Sequence, residues 1–241
     1  RTAGISPNAA VLVATIRALK YHGGKPLKEL TQPDVDALAK GMGNMEKHVE
    51  NIRRFSLVPV VAVNRFTTDS QEELDFIVAF CKEKGIPVSV VDVWAKGGEG
   101  AEELAHMVAE VTRDCCPAFR PLYPLEDSVQ KKIETIAKEI YGAEAVDYAA
   151  KAKKDLKKIS DLGLDGLAIC MAKTQKSLSD NPDLLGRPKD FVITVREIEV
   201  ASGAGFLIPI TGDIMRMPGL PETPASERID IDDDGNISGL F

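Results

Sequence analysis

Two short apolar runs separated by one capped amphipathic segment constrain this chain more than any other feature. The first run, residues 57–63 (LVPVVAV), leads into Asn64-Arg65-Phe66, and the second, residues 87–93 (PVSVVDV), leads into Trp94-Ala95-Lys96-Gly97-Gly98-Glu99-Gly100. Between them, residues 70–84 place Leu74, Ile77, Val78 and Cys81 at helical spacing, with Ser70 as a start signal and Gly85 as a stop. Two β-rich runs joined by one helix predict a βαβ unit whose strands are parallel and adjacent. Ligands of open parallel sheets bind outside the carboxyl ends of the strands. Phe66 and Trp94 stand at that edge, where two rings can hold a flat heterocycle or, alternatively, cap the core. Trp94 is the only Trp of the chain, and a polar Gly-rich loop follows it, which favours the ligand reading.

The remaining pattern extends this unit on both sides. Residues 9–14 form an apolar, strand-like run, 16–21 suit a helix, Gly23-Gly24 breaks it, and 32–41 read as a second helix. A basic helix over 46–55 leads into the βαβ unit, and one over 102–113 leads out, with Glu102-Glu103 favouring its dipole. Residues 115–124 are a proline-punctuated connection, and a helix over 128–141 ends at Gly142. The lysines of 151–158 share a helix with the apolar stripe Ala149, Ala152, Leu156 and Ile159, so they read as a solvated face. From Leu167 onward the composition turns to strands (LAICMA, FVITVREIEV, GFLIPIT) and a closing hairpin over 229–240. The fold class is therefore α/β with a small C-terminal α+β portion.

Charge and composition exclude several classes. A formal charge of −7 argues against nucleic-acid binding, and no apolar stretch is long enough to span a membrane. Cys81, Cys115, Cys116 and Cys170 lack both metal-ligand spacing and disulfide-scaffold density, so a reducing cytoplasm is expected, with Cys81 and Cys170 as buried thiols. His22, His48 and His106 share no metal-binding spacing, and only His22, beside two glycines, stands out. Ser6, Ser177 and Ser179 lack a G-x-S-x-G frame. The run 230–235 (DIDDDG) matches the start of a calcium loop, but Phe241 stands where the bidentate Glu belongs, so Asp234-Gly235 is read as a hairpin turn. No metal site is expected.

Around the two rings, Asn64 ends its strand on a carboxamide that donates and accepts, suiting either the edge of a heterocycle or a turn cap. Val90 backs the ring pocket or packs in the core. Lys96, Gly97 and Gly98 open a helix and suit an anion, as Gly-rich turns before helices do, though a plain βα turn has the same composition.

These residues also carry a family resemblance. VPVVAVNRF, VWAKGGEG, MAKTQKSLSD, ITVREIEVASGAGF, MPGLP and IDIDDDGNISGLF, in that order from about Ala3 to Phe241, resemble formate–tetrahydrofolate ligase. The resemblance implies ATP-dependent synthesis of 10-formyltetrahydrofolate from formate and tetrahydrofolate through formyl phosphate. It implies that the pterin stacks between Phe66 and Trp94, and that a homo-oligomeric cytoplasmic enzyme uses ATP with Mg2+. It divides the chain into the tail of a P-loop-type nucleotide domain (1–45), a Rossmann-like folate-binding domain (46–140) and a C-terminal α+β domain (141–241). Lys176 and Leu178 stand where the family is often aromatic, so no ring-stacking role extends to KTQKSLSD. The sequence holds no G-x-x-x-x-G-K-[ST] loop. The chain is thus expected to be the carboxyl-terminal part of such an enzyme, inactive alone, with the catalytic and phosphate-binding groups upstream. The rival expectation is a non-catalytic folate-binding or oligomer-assembly module.

Overall fold

The computed structural model describes residues 3–113, 119–212 and 222–239. The first two-fifths of the chain builds a three-stranded parallel sheet in the order β1 (Ala9–Ala14), β2 (Val58–Asn64), β3 (Val88–Val91). β2 is central, and its Val60, Val61, Ala62 and Val63 are all buried, as the unbroken apolar run requires of a strand covered on both faces. β1 lies at an edge and leaves Val11 and Val13 exposed.

Local sequence signals set the flanking helices. Thr15 caps α1 (Ile16–His22), its hydroxyl accepting from the Ala18 N–H. Ser70 and Glu73 close a reciprocal capping box on α3 (Gln71–Glu83), and Gly85 follows at φ +61°. Asp34 caps α2, which runs unbroken for 20 residues from Val35 to Arg54. This corrects the expectation of two helices over 32–41 and 46–55, and the expected division at 45/46 falls inside α2. α1 ends at Gly23 as expected, but Gly41, which reads as a helix end, serves packing instead. A Cβ on Gly41 would stand 1.8 Å from the Leu19 carbonyl oxygen, and one on Gly23 would stand 1.8 Å from that of Ala37. α1 and α2 thus meet backbone to backbone, and that contact outweighs the poor helix propensity of glycine.

The expected βαβ unit is present: β2 and β3 are parallel neighbours joined by α3. Leu74, Ile77 and Cys81 on α3 pack with Leu38, Met42, Met45 and Val49 of α2 in one core. Burial pushes the Cys81 thiol up to about 11, which keeps it inert. A buried ion pair lies in the same layer, with Lys20 Nζ 2.8 Å from Glu73 Oε1. Lys20 also donates to the Gln32 carbonyl, and Glu73 accepts from Ser70 and from the Asp34 N–H.

Past β3 come a one-turn helix α4 (Val93–Lys96), a 3-10 turn (Gly97–Ala101) and α5 (Glu102–Arg113). α6 (Val129–Thr135) continues as a π-helical stretch, Ile136–Tyr141, that ends at left-handed Gly142. A strand absent from the sequence reading follows, β4 (Ala145–Tyr148), and then α7 (Ala150–Asp161), whose lysines form the expected solvated face above buried Ala152 and Ile159.

The second sheet has the order β4, β6 (Val192–Ala201), β7 (Phe206–Thr211), β5 (Ala168–Ile169). It is mixed: β4 with β6 and β5 with β7 are parallel, while β6 and β7 form an antiparallel hairpin. The C-terminal portion is therefore less purely antiparallel than an α+β label suggests. Beneath it Lys132 is fully buried, its ammonium donating to the carbonyls of Leu125, Asp165 and Leu167. Cys170 is exposed, contrary to expectation, because it follows a two-residue edge strand with no neighbour on its outer side. The closing hairpin pairs β8 (Asp230–Ile231) with β9 (Ile237–Ser238), and Asp232 accepts from the N–H groups of Asp234 and Asn236. Cys115, Cys116, the MPGLP segment and Phe241 lie outside the described residues.

Candidate functional site at the carboxyl edge of the parallel sheet

β2 and β3 run the same way, so both deliver their following residues to one edge. The ladder ends with Asn64 opposite Val91, and the Arg65 N–H adds one more bond to the Val91 carbonyl at 3.0 Å. The chain then turns. The Phe66 N–H donates to Asp69 Oδ2 at 2.8 Å, and the Asp69 N–H returns to the Phe66 carbonyl at 3.0 Å. This tight turn projects Phe66 out of the sheet instead of letting it fold over the core.

The second loop is shaped by its glycines. Gly97 sits at φ +59° and ψ −138°, a conformation that only glycine adopts readily. The Asp92 N–H donates to the Gly100 carbonyl at 3.0 Å, and a Cβ on Gly100 would come within 2.3 Å of the Asp92 oxygen. Gly97 and Gly100 therefore let the loop close on itself, lifting the turn that bears Trp94 into solvent. Gly98 has open space around it.

An open cavity of about 440 Å³ lies between the two loops, lined by Asn64, Arg65, Phe66, Thr67, Asp92, Val93 and Trp94. Trp94 is 84% exposed and Phe66 36%, so neither ring caps the core. The two rings leave an apolar surface open to solvent at this edge. Of the predicted site residues, Asn64, Phe66 and Trp94 are brought together here. Val90 is not among them: it packs against the core and lines a neighbouring crevice of about 430 Å³ with Lys96, Arg65, Gln71, Asp92 and several glutamates. Gly97 and Gly98 border neither cavity.

One participant escaped the sequence reading. Arg17, in the first turn of α1, lays its guanidinium 4.6 Å from the centroid of the Phe66 ring and donates to Thr68 Oγ1 at 2.9 Å. No local motif links position 17 to position 66. Only the β1–β2 pairing brings the start of α1 beside the end of β2.

A model of the formate–tetrahydrofolate ligase family matches residues 1–241. The chain belongs to the formate–tetrahydrofolate ligase family. Formate–tetrahydrofolate ligases join formate to tetrahydrofolate at the expense of ATP, generally with Mg2+. In this ligase chain no group of three or more His, Cys, Asp and Glu suited to a metal occurs among the described residues. No described helix is long and apolar enough to cross a membrane. His22 lies apart from the two-ring crevice. Its Nδ1 accepts from the Gly186 N–H at 3.2 Å, and burial, aided by nearby His48, pushes its pKa down. In the KTQKSLSD segment Leu178 is buried and Lys176 exposed, so neither presents a flat surface to a ligand.

Proposed function

We propose that this chain supplies the folate-stacking face of a formate–tetrahydrofolate ligase. The pterin enters the crevice between Phe66 and Trp94, and the Asn64 carboxamide meets its amide and amino edge. Lys96, which lines the neighbouring crevice, is the residue assigned to anionic groups of the folate. The observation that supports this reading is the shared cavity: two exposed rings and one carboxamide at the carboxyl edge of a parallel sheet. Each stacked ring contributes roughly 1–3 kcal/mol by analogy with nucleobases. That orients the pterin and leaves the remaining affinity to polar contacts.

In the complete reaction, ATP transfers its terminal phosphoryl group to formate, giving formyl phosphate and ADP. A folate nitrogen then attacks the formyl carbon, the bond from that carbon to the phosphate oxygen breaks, and phosphate leaves. The sequence holds no G-x-x-x-x-G-K-[ST] loop, so in this reading the phosphate-cradling role is assigned to another part of the enzyme. In this reading, the parallel-sheet region up to about residue 140, β1 and α2 included, carries folate, and 141–241 form the supporting C-terminal part. The working enzyme is a cytoplasmic homo-oligomer. The missing P-loop also favours a second reading, in which these residues bind folate without turnover.

Trp94, as the only Trp, reports the test directly. Tetrahydrofolate should quench its fluorescence after inner-filter correction. Phe66→Ala should raise the dissociation constant roughly tenfold to a hundredfold, with little change in melting temperature because the ring is not in the core. Emission from Trp94 that saturating folate leaves unmoved would overturn the stacking assignment. Formate-dependent ADP release by the 241-residue chain would overturn the assignment of the phosphate steps elsewhere.

A further inference from the structure

We propose that Arg17 is a positioning residue for folate: it fixes the plane of Phe66 from behind, so that the ring presents one prepared face to the crevice. The proposal rests on the stacking role of Phe66 given above. Phe66 and Thr67 line the crevice and Arg17 does not, so the guanidinium backs the ring from outside. Its two contacts fall on the same loop, the ring of Phe66 at 4.6 Å and the hydroxyl of Thr68 at 2.9 Å. A guanidinium stacked on a ring while one of its N–H groups holds a neighbouring hydroxyl defines both the position and the tilt of that ring. An exposed Phe without such a backing would rotate freely about its side-chain bonds and lose that freedom each time a ligand binds.

The arrangement also carries a local cost. Arg17 Nε is buried and makes no hydrogen bond, although a surface arginine ordinarily turns its polar atoms to water. The side chain gives up that hydration to lie against the loop. Thr15, two residues earlier, anchors the first turn of α1 by capping the Ala18 N–H, and Ile16 beside it is fully buried. The base from which Arg17 reaches is therefore rigid, and β1 pairs residue for residue with β2 up to Ala14 opposite Val63. Arg17 thus transmits the fixed geometry of the sheet to a loop that otherwise has only its own turn to hold it.

The test is a double-mutant cycle in the full chain, read as the tetrahydrofolate dissociation constant from Trp94 quenching, with melting temperatures in parallel. Arg17→Ala should weaken binding about threefold to tenfold, and should have no further effect in a Phe66→Ala background. Arg17→Lys should recover part of the loss, since it restores a cation near the ring but not the planar fork. Thr68→Val should reproduce a smaller part of it. Equal weakening by Arg17→Ala with and without Phe66 would overturn the proposal, because Arg17 would then act on the ligand or on the fold directly. If Phe66→Ala weakens binding and Arg17→Ala does not, Arg17 has no positioning role and the stacking reading stands. If Phe66→Ala itself changes nothing, the stacking reading falls and takes this proposal with it. Should Arg17→Ala fail to fold, Arg17→Met, which keeps the apolar stem, takes its place in the same cycle.

Discussion

Both sheets of this chain bury an apolar core, and among the described residues the two-ring crevice lies at the edge of the parallel one. In the parallel sheet β2 and β3 point the same way, so the loops after both strands meet at one edge, and Asn64, Phe66 and Trp94 converge there. In the second sheet the antiparallel pairing of β6 with β7 sends successive connections to opposite edges, so chemistry-bearing side chains are divided between them. The polar interiors differ as well. The first region buries a compensated charge pair, Lys20 with Glu73, while the second buries the ammonium of Lys132 against three carbonyls. Strand direction decides where a site can form, and the partners of the two buried lysines decide what a mutation in each half leaves behind.

The sharpest way to break that contrast is to remove Glu73. Glu73→Leu strands the Lys20 ammonium in a dry layer, and the expected cost is about 3–5 kcal/mol, a fall in melting temperature on the order of 6–20 °C. Replacing both partners, as Lys20→Met with Glu73→Leu, should recover most of that loss. Burial pushes the Glu73 carboxyl up, but bonds from Lys20, Ser70 and the Asp34 N–H outweigh it and hold its pKa below the ordinary value. A carboxyl depressed in the folded state stabilises above its unfolded pKa and loses that contribution as the pH falls through the folded one. Acid denaturation below about pH 4 should therefore be less steep in Glu73→Leu than in the parent. An unchanged slope would show that the pair contributes no pH-dependent stability.

A smaller perturbation tests whether the second sheet is independent of the crevice. Ile193, fully buried in β6, loses one methyl group in Ile193→Val, for about 0.5–1.5 kcal/mol by chemical denaturation. Folate quenching of Trp94 should not move, and a shifted dissociation constant would mean that the two regions are energetically coupled at the ligand.

The smallest expected effect concerns Lys173, whose ammonium is held by the carbonyls of Thr174, Ser177 and Ser179 and lies 5.1 Å from the Tyr141 ring centroid. Burial lowers its pKa to about 8, with Asp180 acting in the opposite direction. Between about pH 8 and 10.5 the folded amine is neutral while the unfolded one is charged, so this group raises stability as the pH climbs through that window. Amine acylation followed by peptide mass analysis should show Lys173 reacting with a midpoint near pH 8, well before exposed lysines near pH 10.4. A midpoint like that of its neighbours would remove the desolvation argument.

Much of the crevice was legible because its signals are local. The capping box at Ser70 and Glu73, the stop at Gly85 and the apolar runs of β2 and β3 fix a parallel pair, and a parallel pair places Phe66 and Trp94 together. What the sequence concealed was tertiary. Gly41 reads as the end of a helix, while it is needed for the close approach of α1 to α2. Cys170 follows an apolar pair, but its strand is too short and too peripheral to bury it. β4 has only four residues and pairs with a strand far along the chain, which leaves no local trace. Arg17 lies 51 residues from Thr68, and a bond of that separation has no signature in spacing.

The unbroken helix α2 carries a practical consequence for anyone wishing to take the molecule apart. One side of it supplies Leu38, Met42, Met45 and Val49 to the core of the parallel sheet. Its other positions hold the far half: Asn44 donates to the Gly186 carbonyl, Lys47 to the Glu139 carbonyl, and Glu50 forms a two-pronged pair with Arg187. Severing the chain at 45/46 would give each piece half of a shared beam and neither piece a finished wall. A split reporter or a circular permutant is better opened at the exposed 202–205 turn between β6 and β7, where the cut leaves the beam whole and both ends free to be tethered.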